Sequence, residues 1–111
     1  MPHCIIEYSD DLEGKPLVEA VHQSALDSGL FSSLGSDIKV RAMPFNHYKT
    51  GSIEISFVHV TLKILSGRTG EQKSSLSGKV LNQLKALNFI GCSLSVEVVD
   101  IDTASYAKFI V

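Results

Sequence analysis

The feature of this sequence that most restricts its fold is a strand-helix-strand pattern that occurs twice in 111 residues. In the first occurrence, residues 2–8 predict a short strand. Residues 16–28 predict a helix that begins at a proline, carries one apolar stripe and stops at Gly29. Residues 37–43 alternate between apolar and charged side chains, which is typical of a half-buried strand.

The second occurrence follows a loop at residues 44–51. Residues 52–65 predict the longest strand, and its apolar phase shifts midway. Such a shift indicates a bulge, or a strand whose two faces are covered in different stretches. Thr69 and Gln72 have the spacing of a capping box, so a second helix is predicted to begin there. Its buried stripe is predicted at Leu76, Val80, Leu84 and Leu87. Residues 93–101 predict the last strand.

Two such units predict an α+β fold. Because connections between parallel strands are right-handed, two units packed side by side form a four-stranded sheet with both helices on one face. The length suits a single domain over residues 1–111, with a pseudo-repeat at 2–43 and 52–102 and a C-terminal tail at 103–111.

The second face of this sheet is predicted to lack cover. Residues 52–65 and 93–101 carry apolar side chains in both phases, so an isolated monomer would expose a large apolar patch. The end of the tail, residues 106–111, is unusually apolar for a free terminus and is suited to docking on a neighbouring subunit. We therefore expect the chain to self-associate.

Composition and motifs exclude several classes of function. The formal net charge is −2 and the basic residues are scattered, which argues against nucleic acid as a partner. No segment is apolar enough for a membrane span or a signal peptide, so a cytoplasmic protein with no membrane partner is expected. Cys4 and Cys92 are interpreted as buried thiols. The sequence contains no common nucleotide-binding or hydrolase motif.

No metal site is expected, because the four histidines do not pair at metal-ligand spacing. A different chemistry is available at the amino terminus. A small second residue permits removal of Met1, and Pro2 then exposes a secondary amine at the start of a strand. Such an amine titrates near pH ~8 without help, and burial or nearby cations lower its pKa towards neutrality. The rigid ring also fixes the direction of the lone pair, which suits a general acid/base.

Four segments carry a resemblance to a known family. They are MPHCIIEYS at residues 1–9, KVR at 39–41, FVHVTLKILSGR at 57–68 and TGEQK at 69–73. Together they resemble the 5-carboxymethyl-2-hydroxymuconate isomerase family of the tautomerase superfamily. The resemblance spans the chain from Pro2 to about Ile101. It implies two β-α-β units per subunit, a homotrimer, and active sites around the terminal proline at subunit boundaries.

The same resemblance implies roles for three residues. Pro2 is the expected proton shuttle, and Arg41 and Arg68 are the expected ligands of substrate carboxylates. Their chemistry agrees, because a guanidinium is planar, always charged and able to bind a carboxylate through two parallel hydrogen bonds. Arg68 also precedes the helix predicted at Thr69, where free N–H groups and the helix dipole favour an anion.

His47 and Tyr48 lie in the loop between the two units, where an aromatic wall or a hydrogen-bond donor for the substrate is plausible. The resemblance implies a 5-carboxymethyl-2-hydroxymuconate delta-isomerase, which transposes a C=C bond of an unsaturated keto or hydroxy dicarboxylate in homoprotocatechuate degradation and needs no cofactor. Two alternatives stay open. One is another proline-based tautomerase, acting on phenylpyruvate-like or oxalocrotonate-like enols, or a hydrolytic relative. The other is a non-enzymatic oligomerising module.

Overall fold

Two β-α-β units build the protein, as the repeated pattern predicts. The computed structural model describes residues 1–111. Its elements in chain order are β1 (His3–Ser9), α1 (Gly14–Asp27), β2 (Lys39–Phe45), β3 (Ser56–Leu65), α2 (Gly70–Lys85) and β4 (Cys92–Ile101). None of its helices is long and apolar enough to cross a membrane.

The four strands form one mixed sheet in the order β2-β1-β3-β4. Within each unit the strands are parallel, and the two units join where β1 runs antiparallel to β3. The amino ends of β1 and β2 therefore lie at the same end of the sheet as the carboxyl ends of β3 and β4. The amino terminus of the chain begins an interior strand, so it is surrounded by protein on both sides.

Alternation along the strands directs one side-chain set into the core. Even-numbered positions of β1 and β3, such as Cys4, Ile6, Val58 and Val60, are fully buried. They pack against the predicted helix stripes, which are buried at Leu17, Val21, Ala25, Leu76, Val80 and Leu84. Leu87 was also predicted in the stripe, but it lies beyond the end of α2 and is exposed.

Of the two explanations offered for the phase shift in the long strand, the bulge is wrong. β3 begins at Ser56, and its register with both β1 and β4 is unbroken. Ile53 precedes the strand, which explains the shift in apolar phase without a bulge. The loop before β3 is closed by Thr50, whose hydroxyl accepts a hydrogen bond from the Ile55 N–H at 2.9 Å and donates to the Ile55 carbonyl at 3.2 Å.

The uncovered face of the sheet is more polar than predicted. Odd-numbered positions face away from the helices and include His3, Glu7, Arg41, His59, Thr61, Lys63, Ser95 and Glu97. His59 bonds the Ser95 hydroxyl at 2.7 Å and the Glu97 carboxylate. These polar pairs lie on a face that also carries Ile5, Phe57 and the exposed Met43 and Val99, so polar positions interrupt its apolar ones. Apolar exposure is also marked in the tail, at Phe109, Ile110 and Val111.

The two helix starts have the features that the sequence predicted. The capping box at α2 is present, with the Thr69 hydroxyl accepting from the Gln72 N–H at 3.1 Å and the Gln72 side chain accepting from the Thr69 N–H at 2.9 Å. In α1, Pro16 lies in the first turn, where its missing N–H leaves no hydrogen bond unmade.

Thr69→Ala should destabilise the fold by about 1 kcal/mol, because it leaves N–H groups at the start of α2 without their cap. Thr69→Ser keeps the hydroxyl and should cost much less. Urea denaturation of both variants beside the wild type measures the difference. Equal stability of the alanine and serine variants would contradict a stabilising capping box.

Candidate functional site

Pro2 stands at the buried amino end of β1. Its side chain is fully buried, and its carbonyl accepts a hydrogen bond from the Lys39 N–H at 3.0 Å, which ties it to the start of β2. Met1 is attached in this structure, so the Pro2 nitrogen is a tertiary amide here. An amide nitrogen has no basic lone pair, and the proton-transfer chemistry requires the chain without Met1.

The amino group of Met1 forms an ion pair with Asp37 at 3.2 Å. Loss of hydration alone raises the pKa of Asp37, but hydrogen bonds from this amino group and from the Ser32 N–H outweigh it, and the net shift is downward. The other carboxylate oxygen of Asp37 is buried and has no hydrogen-bond partner. In the chain that retains Met1, the amino group thus has a carboxylate neighbour that sequence reasoning missed.

Positive charges gather around the first residues of β1. Arg41 projects from β2, and its Nη1 lies 3.1 Å from Nδ1 of His3. Burial, followed by the charges of Arg41, Lys39, the terminal amine and Lys63, lowers the pKa of His3. These groups come from β1, β2 and β3, so the pairing of three strands creates an electropositive environment at the chain terminus.

Arg68 reaches the same end of the sheet from the turn after β3. Its Nη2 donates to the Leu30 carbonyl at 2.7 Å, and its guanidinium lies 5.7 Å from the centroid of the Phe31 ring. Because His3 pairs with Lys63 in the antiparallel register, the carboxyl end of β3 lies beside Pro2. The structure therefore brings Pro2, Arg41 and Arg68 to one end of the sheet.

His47 and Tyr48 lie at the opposite end. They follow the carboxyl end of β2, where Phe45 pairs with Ser9 at the last register position of β1. Tyr48 packs against Phe57 with ring centroids 5.2 Å apart, and His47 is exposed. Ser9 lies six positions after His3 in β1, which amounts to roughly 20 Å along a strand. Within one chain, these two residues do not meet Pro2.

The environment of Tyr48 keeps its hydroxyl protonated. Loss of hydration, followed by the carboxylates of Asp11 and Glu54, raises the pKa of Tyr48. The side chain therefore presents a neutral hydroxyl, which is able to donate a hydrogen bond. The sequence predicted a hydrogen-bond donor at this position. Within one chain, however, the Tyr48 hydroxyl is too far from Pro2 to contact the same substrate.

The cysteines supply no alternative nucleophile. Burial raises the pKa of the Cys4 thiol to about 12, and the pKa of the half-buried Cys92 thiol is also raised. Both are free thiols. Cys4 is buried and Cys92 is half-buried, so the prediction of burial is confirmed for Cys4 and only partly for Cys92. No group of three or more His, Cys, Asp or Glu side chains is placed to hold a metal ion.

The two surface grooves of the chain do not contain the candidate residues. One, of about 380 Å³, lies between the helices and is lined mainly by polar side chains, including Asp27 and Lys79. The other, of about 350 Å³, reaches Leu30, whose carbonyl binds Arg68. Neither groove includes Pro2, Arg41 or Arg68, so a single chain does not enclose these three residues in a cavity.

Comparison with protein families gives a match over residues 2–109 to the model described as CHMI, 5-carboxymethyl-2-hydroxymuconate isomerase. The chain belongs to this family. The resemblance inferred from the sequence segments is confirmed, and the match extends beyond Ile101 into the C-terminal tail. Family membership supports an isomerase of the tautomerase type. A comparison with curated proteins finds no match.

Solved structures agree on the fold. A 5-carboxymethyl-2-hydroxymuconate isomerase from Deinococcus radiodurans R1 is 26% identical, with a TM-score of 0.70 over 97% of this chain and 88% of that one. A 5-carboxymethyl-2-hydroxymuconate delta-isomerase is 19% identical, with a TM-score of 0.76 over 98% and 88%. A fused 4-OT described as a symmetric trimer is 15% identical, with a TM-score of 0.79 over 96% and 90%. The last two similarities concern the fold alone.

Proposed function

We propose that this chain is a 5-carboxymethyl-2-hydroxymuconate delta-isomerase that uses Pro2, freed by removal of Met1, as its acid/base. The observation that carries the proposal is the burial of Pro2 at an end of the sheet to which Arg41 and Arg68 also project. Family membership supplies the reaction class. The substrate class is an unsaturated keto or hydroxy dicarboxylate, for which two arginines offer two binding groups.

The proposed reaction relocates one proton and changes no oxidation state overall. Neutral Pro2 removes a proton from the enol hydroxyl or an acidic carbon of the substrate, and the resulting ammonium returns it to a distant carbon of the conjugated chain. Burial of Pro2 and the cations that surround the neighbouring His3 favour the neutral form of the amine that this step requires.

The arginines stabilise the charge that develops on oxygen during this transfer. Arg41 is exposed and retains N–H groups beyond the one directed at His3, so it is accessible to a carboxylate. Arg68 is held by the Leu30 carbonyl and by the Phe31 ring, which fixes the orientation of its remaining donors. A well-placed group of this type contributes roughly 3–4 kcal/mol to transition-state stabilisation.

A homotrimer would complete the site. His47 and Tyr48 lie roughly 20 Å from Pro2 along β1, so their proposed part in substrate binding requires the loop of a neighbouring subunit. The exposed apolar residues of the tail offer a contact surface for that neighbour. The fold is shared with a solved structure described as a symmetric trimer.

The trimer is tested by light scattering coupled to size-exclusion chromatography at micromolar concentration. We expect the mass of three chains, which for a 12.0 kDa subunit is clearly separated from a monomer. Removing residues 107–111 should weaken the assembly, because it deletes Phe109, Ile110 and Val111. A full-length chain that stays monomeric under these conditions would refute the shared site.

The acid/base role of Pro2 is tested by controlling the amino terminus. A preparation shown by intact mass to retain Met1 should be inactive in a dienol ketonisation assay, whereas the processed form should turn over. Pro2→Ala leaves a primary amine near the same place and should retain a small part of the activity. The ascending limb of kcat/KM with pH should follow deprotonation of this amine. Equal rates for the retained and processed forms would rule out Pro2 as the catalyst.

The carboxylate role of Arg68 is tested by Arg68→Ala with two substrates. The variant should raise KM for a dicarboxylate by about tenfold or more and raise it much less for the matching monocarboxylate, because only one group loses its partner. Steady-state kinetics on both substrates gives the comparison, and Lys79→Ala on α2 serves as a control for loss of a surface cation. Equal losses on the two substrates would place Arg68 away from that carboxylate.

A further inference from the structure

The C-terminal segment returns to the first strand through one side chain. After β4, a turn closes with the N–H groups of Ser105 and Tyr106 donating to the Asp102 carbonyl at 3.2 and 3.1 Å. This turn places the Tyr106 hydroxyl 3.0 Å from Nε2 of His3. The two rings also meet edge to face, with centroids 6.1 Å apart. Tyr106 is half-buried, although the residues after it are exposed.

The partners of His3 determine which of its nitrogens carries the proton. Arg41 has only N–H donors, so Nδ1 of His3 must accept its hydrogen bond at 3.1 Å. The proton of the neutral ring then resides on Nε2, which donates to the Tyr106 hydroxyl. A doubly protonated ring would point an N–H at Arg41 and lose this contact. Arg41 therefore donates a hydrogen bond to His3, and His3 in turn donates one to the Tyr106 hydroxyl.

We propose that His3 and Tyr106 are positioning residues that hold Arg41 ready for a substrate carboxylate. This inference rests on the proposed function, because it assigns a purpose to the orientation of Arg41. An exposed arginine samples many rotamers, and the loss of that freedom opposes ligand binding. A hydrogen bond to a side chain that is itself anchored removes part of this cost before the ligand arrives.

The arrangement couples the tail to the site. His3 contacts Arg41 on one side and Tyr106 on the other, so an ordered turn at Asp102 favours a single orientation of the imidazole. That orientation presents Nδ1 to Arg41. The C-terminal segment thus contributes to carboxylate affinity without contacting the substrate itself.

Tyr106→Phe is the most direct test, because it removes only the hydroxyl that accepts from His3. We expect KM for the dicarboxylate to rise about threefold to tenfold, as befits one lost hydrogen bond, with a smaller fall in kcat because Arg41 also stabilises charge in the transition state. Tyr8→Phe is the matched control, since Tyr8 lies in the core at the carboxyl end of β1. It should leave both constants unchanged. An unchanged KM in Tyr106→Phe would overturn the proposal.

Substitutions at His3 separate positioning from packing. His3→Asn keeps an acceptor close to the position of Nδ1 and should recover part of the affinity that His3→Ala loses. Binding of a saturated, unreactive dicarboxylate, measured by calorimetry, reports this order without any turnover. Thermal denaturation checks that the His3→Asn and His3→Ala variants are as stable as Arg41→Ala. If His3→Asn then binds the dicarboxylate as weakly as His3→Ala does, the acceptor role assigned to Nδ1 is wrong.

The imidazole itself gives an independent readout. In ¹⁵N NMR at neutral pH, the wild type should show His3 protonated on Nε2 alone, and Tyr106→Phe should shift that resonance or mix the two tautomers. Protonation on Nδ1 in the wild type would overturn the proposal. A wild type that shows the Nε2 tautomer and binds the dicarboxylate, but does not isomerise the dienol, would refute the proposed reaction and leave the positioning role supported.

Discussion

The interior position of β1 is the constraint on which the rest of the molecule depends. β1 pairs in parallel with β2 on one side and antiparallel with β3 on the other, so the chain begins inside the sheet. Free amino termini usually fray in solvent. Here the first strand is held by two ladders, and Pro2 becomes a buried group with a fixed position. A terminal amine has catalytic use only when its surroundings are determined in this way.

The same pairing sets the electrostatics of that end. Lys39 and Lys63 are the register partners of His3, and Arg41 lies two positions along β2, so three cations from two strands face one short segment of β1. Asp37 adds a carboxylate beside the terminal amino group.

The open face of the sheet was predicted to be apolar, but it carries many polar side chains, and exposed apolar side chains are also found in the tail. Pairs such as His59 with Glu97 satisfy their own hydrogen bonds across the face. The tail carries exposed apolar residues and, through Tyr106, a contact with the first strand. Tyr106 therefore connects the apolar tail to His3 and, through His3, to Arg41.

Local periodicity and motifs close together in the chain are enough to predict the two β-α-β units, the capping box at Thr69, most positions of the buried stripes and the family. The bulge offered as one explanation of the phase shift in residues 52–65 was wrong, since the start of β3 is set by pairing with β1 and β4 and no local signal marks it. The separation of His47 and Tyr48 from Pro2 within one chain follows from the pairing of β1 with β2, which no local pattern specifies. The contacts of Asp37 with the Met1 amino group and of Tyr106 with His3 likewise appear only in the folded chain. Strand order and register decide such contacts, and they join residues up to 103 positions apart that share no local pattern.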